Sequence, residues 1–344
     1  MDCTSGIGRD SGVNMAPHGA SAVPRFAPVP KFTFDALAIV PLVAELLKRC
    51  VFPAEQSGTS RQLNCAVSGG PDSTALLILA VATGAQVTAL HVDHGLREGS
   101  QEEAQIVAKL AERVGAKFLS LTAVIQQGGD LEARARAARR EALPPDALFG
   151  HTADDQAETL LIRLMRGTGP AGLAGMSLQQ HPLLGLRRAD TELLCAQLGI
   201  VPFLDPSNND PRFVRNRVRH EVVPLLNQVS ARDVTPLLCR LAELCADQAD
   251  LIAALAEAED PTDAKGLSGL PPALAAQVVR MWWVRTTGIV YPPDAAAVDR
   301  ILSVASGQSV SCQVGSGWSV TRTAGRLSLQ QSACSGTATV QEHE

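Results

Sequence analysis

The chain has 344 residues, 46% of them hydrophobic and 19% charged, with a formal net charge of −5. That length allows two domains and at least one sizeable core. The negative balance excludes a generally basic nucleic-acid coat, so any contact with RNA must come from local patches.

Residues 1–30 are rich in Gly, Ser, Ala and Pro and lack a continuous apolar stretch. They read as a disordered tail rather than a secretory signal. No run reaches membrane-spanning length, so a membrane partner is not expected. The eight cysteines, at positions 3, 50, 65, 195, 239, 245, 312 and 334, include no Cys-x-x-Cys pair. Their scatter argues against a disulfide framework and against a zinc or iron–sulfur site. Reduced thiols in a cytoplasmic protein are the expectation.

From residue 63 strands and helices alternate. LNCAVSG reads as a buried strand and PDSTALLILAVATG as a helix, with Pro71 in its first turn and Gly84 at its end. QVTALHVDHG is a second strand. SQEEAQIVAKLAERVG is a second helix, AKFLSLTAVI a third strand and DLEARARAARREAL a third helix. DALFGH is a short fourth strand, followed by the helix TADDQAETLLIRLMRG. This alternation predicts an α/β fold, a doubly wound parallel sheet with helices on both faces. Residues 31–220 are assigned to that catalytic domain. Residues 221–332 form a smaller, mainly helical domain ending in a strand segment, SVSCQVGSGWSVTRTAGRLSLQ, with a disordered tail at 333–344. Trp282 and Trp283 are expected in the second core.

Ligands of such sheets bind beyond the carboxyl ends of the strands. Three unusual sequences fall there: SGGPDS at 68–73, HVDHGL at 91–96 and GHTADD at 150–155. In the first, Ser68, Gly69, Gly70, Pro71, Asp72 and Ser73 join a strand to a helix N-terminus. Glycines allow close backbone approach, and free N–H groups with the helix dipole favour an anion such as pyrophosphate. It is not the lysine-bearing phosphate loop, because no lysine follows. A carboxylate at Asp72 beside phosphate needs a cation between them, which points to Mg²⁺.

In the third, His151, Asp154, Asp155 and Glu158 fall within about 100° on one helix face. Ile162 and Met165 continue that face, so the acids are expected to point inward. Thr152 and Asp155 have capping-box spacing, which explains Asp155 but neither other acid. The group suits proton handling and metal binding, with Asp72 and Asp155 as metal ligands. His91, Asp93 and His94 are placed near the nucleotide.

SGGPDS resembles the pyrophosphate loop of the N-type ATP pyrophosphatases. Four further segments, HVDHGLR, GHTADDQAETLLIRLMRGTGPAGLAGM, HPLLGLRR and DPSNNDPRFVRNRVRHEVVPLL, resemble in order the tRNA(Ile)-lysidine synthetase family. The match runs from about residue 63 to 226 and continues more weakly through the second domain. It departs at His181, where the family usually has arginine, and at Arg140, where it usually has tyrosine. The chain also looks short of a third domain found in longer members.

The resemblance implies ATP and Mg²⁺ as cofactors and free L-lysine and an isoleucine tRNA with a CAU anticodon as partners. It implies that lysine is attached to the wobble cytidine through an adenylated base. A homodimer is a further expectation. The tRNA phosphates would need arginines. Candidates are Arg134, Arg136, Arg139 and Arg140 on the third helix, Arg166 beside Arg163 on the acidic helix, and Arg212, Arg215, Asn216, Arg217 and Arg219 after DPSNND. Arg212, Arg215 and Arg219 would share one helix face. Two other readings are an amide-forming synthetase of the same superfamily, indifferent to tRNA, and a non-catalytic RNA-binding relative, which would show a damaged loop or acidic helix.

Overall fold

The computed structural model describes residues 32–54, 61–93, 100–123, 138, 140–203, 210–289 and 291–331. The expected tails, most of the third helix with Arg134, Arg136 and Arg139, and His94 lie outside the described residues.

Among the described residues, four strands form the expected parallel sheet: β1 (Gln62–Ala66), β2 (Gln86–Asp93), β3 (Lys117–Thr122) and β4 (Leu148–Phe149), in the order β3-β2-β1-β4. Cys65 of β1 pairs with Ala89 of β2 on one side and Leu148 of β4 on the other. The chain thus winds outward from β1 through β2 to β3, then returns to place β4 on the opposite side of β1. The order reverses between β1 and β4, and a crevice opens at the carboxyl ends of strands where that happens. SGGPDS leaves β1 there, and GHTADD leaves β4.

Helix Pro71–Ala82 is buried from Ser73 through Ala82. A helix apolar on every side must be covered on every side. Strands β1 and β2 pack on it, as do helices Phe34–Ala38, Pro41–Leu47, Ser100–Val114 and Arg188–Gln197. The expected stops hold: Gly84 and Gly115 end their helices with φ of 81° and 74°, a conformation that suits glycine.

A 23-residue helix, Thr235–Glu257, packs on the acidic helix Ala153–Met165 and on helix Pro272–Thr287. The second core gathers Val278, Val279, Trp282, Trp283, Val298, Ile301, Val304, Val320 and Leu327, so both tryptophans are core residues as expected. The terminal strands β5 (Ser311–Gly315), β6 (Trp318–Thr323) and β7 (Arg326–Gln331) form an antiparallel meander. Their two-residue turns, Ser316-Gly317 and Ala324-Gly325, have positive φ at both positions, as tight hairpins require. Residue 220, where the sequence suggests a domain boundary, falls inside the helical run from Val214 to Ser230.

Candidate active site

The loop after β1 turns at Gly69, whose φ is 87°. Its carbonyl accepts the Phe203 N–H at 2.9 Å. Ser73 Oγ donates to the Gly70 carbonyl at 3.1 Å and accepts the Ser68 N–H at 3.2 Å. Pro71 occupies the first turn, where no N–H is needed. Gly150, just past β4, is the contact point with this loop. A Cβ there would stand 2.6 Å from the Asp72 carbonyl oxygen. Only glycine lets the end of β4 and the first turn of helix Pro71–Ala82 approach this closely.

The acidic helix begins with the expected capping box. Asp155 Oδ2 accepts the Thr152 N–H at 2.9 Å and the Thr152 hydroxyl at 3.1 Å. Asp155 and Glu158 point inward and are buried. Their face does not continue inward, however: Met165 is exposed and Ile162 half-buried. The helix runs outward from the crevice, so only its first two turns serve the site.

Among the described residues the acids meet four arginines, and for two of these the sequence suggested no role. Arg188 stands between the loop and the helix. Its Nε lies 3.5 Å from Asp72 Oδ2, and its terminal nitrogens lie 3.0 Å from Asp155 Oδ1 and 3.5 Å from Glu158 Oε1. Arg215 reaches Asp155 at 2.9 Å and Glu158 at 2.8 Å. Arg219 reaches Glu158 at 2.7 Å. Arg187 grips Asp154 at 2.9 Å and also pairs with Asp233. Asp154 Oδ2 accepts the Arg188 N–H at 2.8 Å, so this carboxylate also caps the N-terminus of helix Arg188–Gln197.

This arrangement corrects two expectations. Arg215 and Arg219 do not share an outward face with Arg212. Carboxylates buried this deeply need guanidinium partners, and these two arginines supply them. Arg212 stays outside and pairs with Asp210 at 2.6 Å, while Arg217 pairs with Glu221 at 3.1 Å. Asn216 is buried and donates to the Asp210 carbonyl at 2.9 Å. Asp155, expected as a metal ligand, has Oδ2 engaged by Thr152 and Oδ1 by Arg188 and Arg215. Arg163, finally, donates to the Gly172 and Gly175 carbonyls at 2.7 and 3.0 Å rather than to acids or phosphate, while Arg166 is exposed.

The helical run carrying Arg215 and Arg219 has a π turn at Val218–Val222. Pro224 explains it: proline has no N–H and its ring displaces the carbonyl four residues back. The Val223 N–H accordingly bonds five residues back, to Val218.

Charge in the site is uneven. Burial pushes the Asp72 carboxyl up to about 6, against hydrogen bonding from Thr191 and with nearby Asp155 adding to the rise. Burial would also raise Asp155, but the charges of Arg215, Arg188 and His151 outweigh it and hold it at about 2. Asp154 is likewise depressed, its burial outweighed by Arg187 and the Arg188 N–H.

His151 stacks with Phe149 and lies tilted by 43° against His181, their centroids 5.0 Å apart. His181 Nδ1 sits 2.8 Å from the Ser177 carbonyl. His91 is buried, its Nδ1 3.0 Å from the Val67 carbonyl, so it ties β2 to the root of the loop.

Arg187, Arg188 and Thr191 were missed by sequence reasoning, although a signal existed. Two arginines at a helix N-terminus oppose the helix dipole, so their presence in HPLLGLRRADT implies acidic partners elsewhere. Gly150 left no comparable trace.

A loop of this shape at the switch point of a parallel sheet defines an ATP-utilising PP-loop protein. Residues 43–226 match the family described as a PP-loop domain, and residues 263–328 match the TilS substrate binding domain. The tRNA(Ile)-lysidine synthase of Nocardia farcinica is 39% identical over 80% of this chain and 94% of its own. That of Rhodococcus erythropolis is 39% identical over 64% and 74%, and that of Thermobifida fusca 38% over 71% and 84%. The chain belongs to the tRNA(Ile)-lysidine synthase family.

Proposed function

We propose that the crevice between β1 and β4 binds ATP on the Ser68–Ser73 loop and the lysine ammonium at Asp155 and Glu158. As a member of its family the chain forms lysidine on an isoleucine tRNA at the expense of ATP. One observation carries the assignment of roles: Asp155 and Glu158 already hold cations, three guanidiniums, directly across Arg188 from the nucleotide loop. A carboxylate pair that binds guanidinium can take an ammonium of the same charge where one arginine gives way to it.

Asp72 fits a Mg²⁺ ion. Its carboxyl is partly solvent-accessible and raised by burial and by Asp155, so a divalent cation would relieve it. Among the described residues no three His, Cys, Asp or Glu side chains converge as a metal cage. That suits a magnesium held by one carboxylate and the ATP phosphates. There the ion would offset phosphate charge.

In the reaction the cytidine ring carbonyl oxygen attacks the α-phosphorus, and the bond to the bridging oxygen of pyrophosphate breaks. The lysine ε-nitrogen then attacks the activated ring carbon, and AMP leaves with the oxygen. The amine must first lose a proton, since its ordinary pKa is about 10.4. In this reading Glu158 or Asp155 orients it, with the charge of His151 acting on Asp155. Asp154 has a structural duty, anchoring the Arg188 helix. The exposure of Arg212 and Arg217 supports a role for them in meeting tRNA phosphate.

The test is transfer of radiolabelled lysine with Mg-ATP to an isoleucine tRNA bearing CAU, against a methionine tRNA with the same anticodon. Label on the isoleucine tRNA alone, abolished by Asp72→Ala, supports the reading. Pyrophosphate release with some small acceptor and no labelled tRNA would instead favour an amide-forming synthetase.

A further inference from the structure

The three arginines on Asp155 and Glu158 are not held equally. Arg219 clamps Glu158 through two nitrogens, at 2.7 and 3.1 Å. Arg215 bridges Glu158 and Asp155 at 2.8 and 2.9 Å. Arg188 has one close carboxylate among the described residues, Asp155 at 3.0 Å, and its contacts with Asp72 and Glu158 are both 3.5 Å. The Asp155 oxygen it uses is the one that Arg215 also uses. Its backbone, by contrast, is fixed: Arg188 opens helix Arg188–Gln197, and Asp154 holds its N–H. A cation at that end of a helix opposes the dipole. The guanidinium is therefore a weakly held head on an anchored stem.

Charge in the cluster balances without a ligand. Among the described residues, Asp72, Asp155 and Glu158 face Arg188, Arg215 and Arg219, and Asp154 is matched by Arg187. Lysine arriving alone would bring a fourth cation to three carboxylates. Mg-ATP is a net anion. Its phosphates offer a guanidinium bidentate, charge-assisted bonds, better than a share of one carboxylate oxygen.

We propose that Arg188 is a place-holder: it occupies the lysine site of the ligand-free chain and passes to the ATP phosphates when nucleotide binds, so that lysine binds after ATP. This rests on the reading of Asp155 and Glu158 as the lysine site, and adds which arginine gives way and what draws it off. The same movement releases Asp72, the carboxylate assigned to Mg²⁺. One side chain thus stands in for both cations until the anion that accompanies them arrives. The physical reason is burial. Asp155 and Glu158 left short of a cation inside the protein would be costly, and the chain's own arginine removes that cost between turnovers.

Equilibrium dialysis of radiolabelled lysine against the full chain, without tRNA, tests this. It is run with and without Mg²⁺ and the α,β-methylene analogue of ATP, whose α–β link cannot be cleaved. The expected result is that the analogue tightens lysine binding about ten-fold or more, and that lysine tightens the analogue by the same factor. Glu158→Gln should abolish lysine binding in both states, which locates the lysine. Arg188→Gln should bind lysine nearly as well without the analogue as with it, with helical circular dichroism unchanged. Arg188→Lys, which keeps the charge but not the fork, should show a reduced enhancement. Arg219→Gln removes an equal charge from the same acids and should keep the enhancement. Equal lysine affinity in the wild type with and without the analogue overturns the inference and leaves the lysine site standing. An enhancement that survives in Arg188→Gln overturns the part given to Arg188. Absence of lysine binding in both states, in wild type and Arg188→Gln alike, overturns the lysine site and the inference together.

Discussion

Asp72 is held in an unfavourable state. Its carboxyl titrates at about 6 in the folded chain against an ordinary 3.8, so the folded state binds more protons between those values. Its contribution therefore falls as pH rises through that window. Replacing it by asparagine should raise stability at pH 7.5 by about 1–3 kcal/mol, with no gain near pH 4, while lysine transfer is lost. Urea unfolding at both pH values checks this, and an equal gain at both would refute it. The arginines give a second contrast. Arg215→Ala strands Asp155 and Glu158 beside fewer cations and should cost about 3–5 kcal/mol. Arg212→Ala should leave the urea midpoint unmoved and weaken tRNA binding, with a smaller dependence on salt. In the sequence these two arginines are indistinguishable. Helical periodicity put them on one face, but the buried acids that separate them come from a segment more than fifty residues earlier.

At the level of elements, the site depends on how closely the end of β4 approaches the helix that follows the loop. Gly150 permits it, and Gly150→Ala should press a methyl group against the Asp72 backbone. The expected cost is about 1–3 kcal/mol, with a rise in the KM for ATP larger than the loss of thermal stability would explain. An unchanged KM would mean that the loop tolerates displacement. The strands, the helices flanking the loop and the capping box at Thr152 were all legible, because each rests on local periodicity or on residues a few positions apart. The outward course of the acidic helix after Glu158 was not. Apolar Ile162 and Met165 fit a buried face equally well, and what covers a face is decided by other elements.

Across the molecule, the acid–arginine cluster fastens segments distant in the chain: the loop after β1, the acidic helix, the Arg188 helix and the run from Val214. Asp154 and Asp155 are depressed below 3.8. The stability they add is therefore present above about pH 4 and lost as pH falls toward 2. Acid unfolding should be steep in that interval and should flatten in Asp155→Asn. A transition unchanged by that substitution would remove the cluster from the account of acid stability.

The sequence by itself determined the parallel sheet, the anion-binding loop after β1, the acidic helix after β4 and the family resemblance, since each is written in contiguous residues. Only the tertiary structure decided which arginines serve the acids and which face outward, that Asp154 is a helix cap, and that Arg188 stands between loop and helix. Those outcomes depend on burial. A buried charge must find its partner in three dimensions, and no spacing along the chain records which partner that will be.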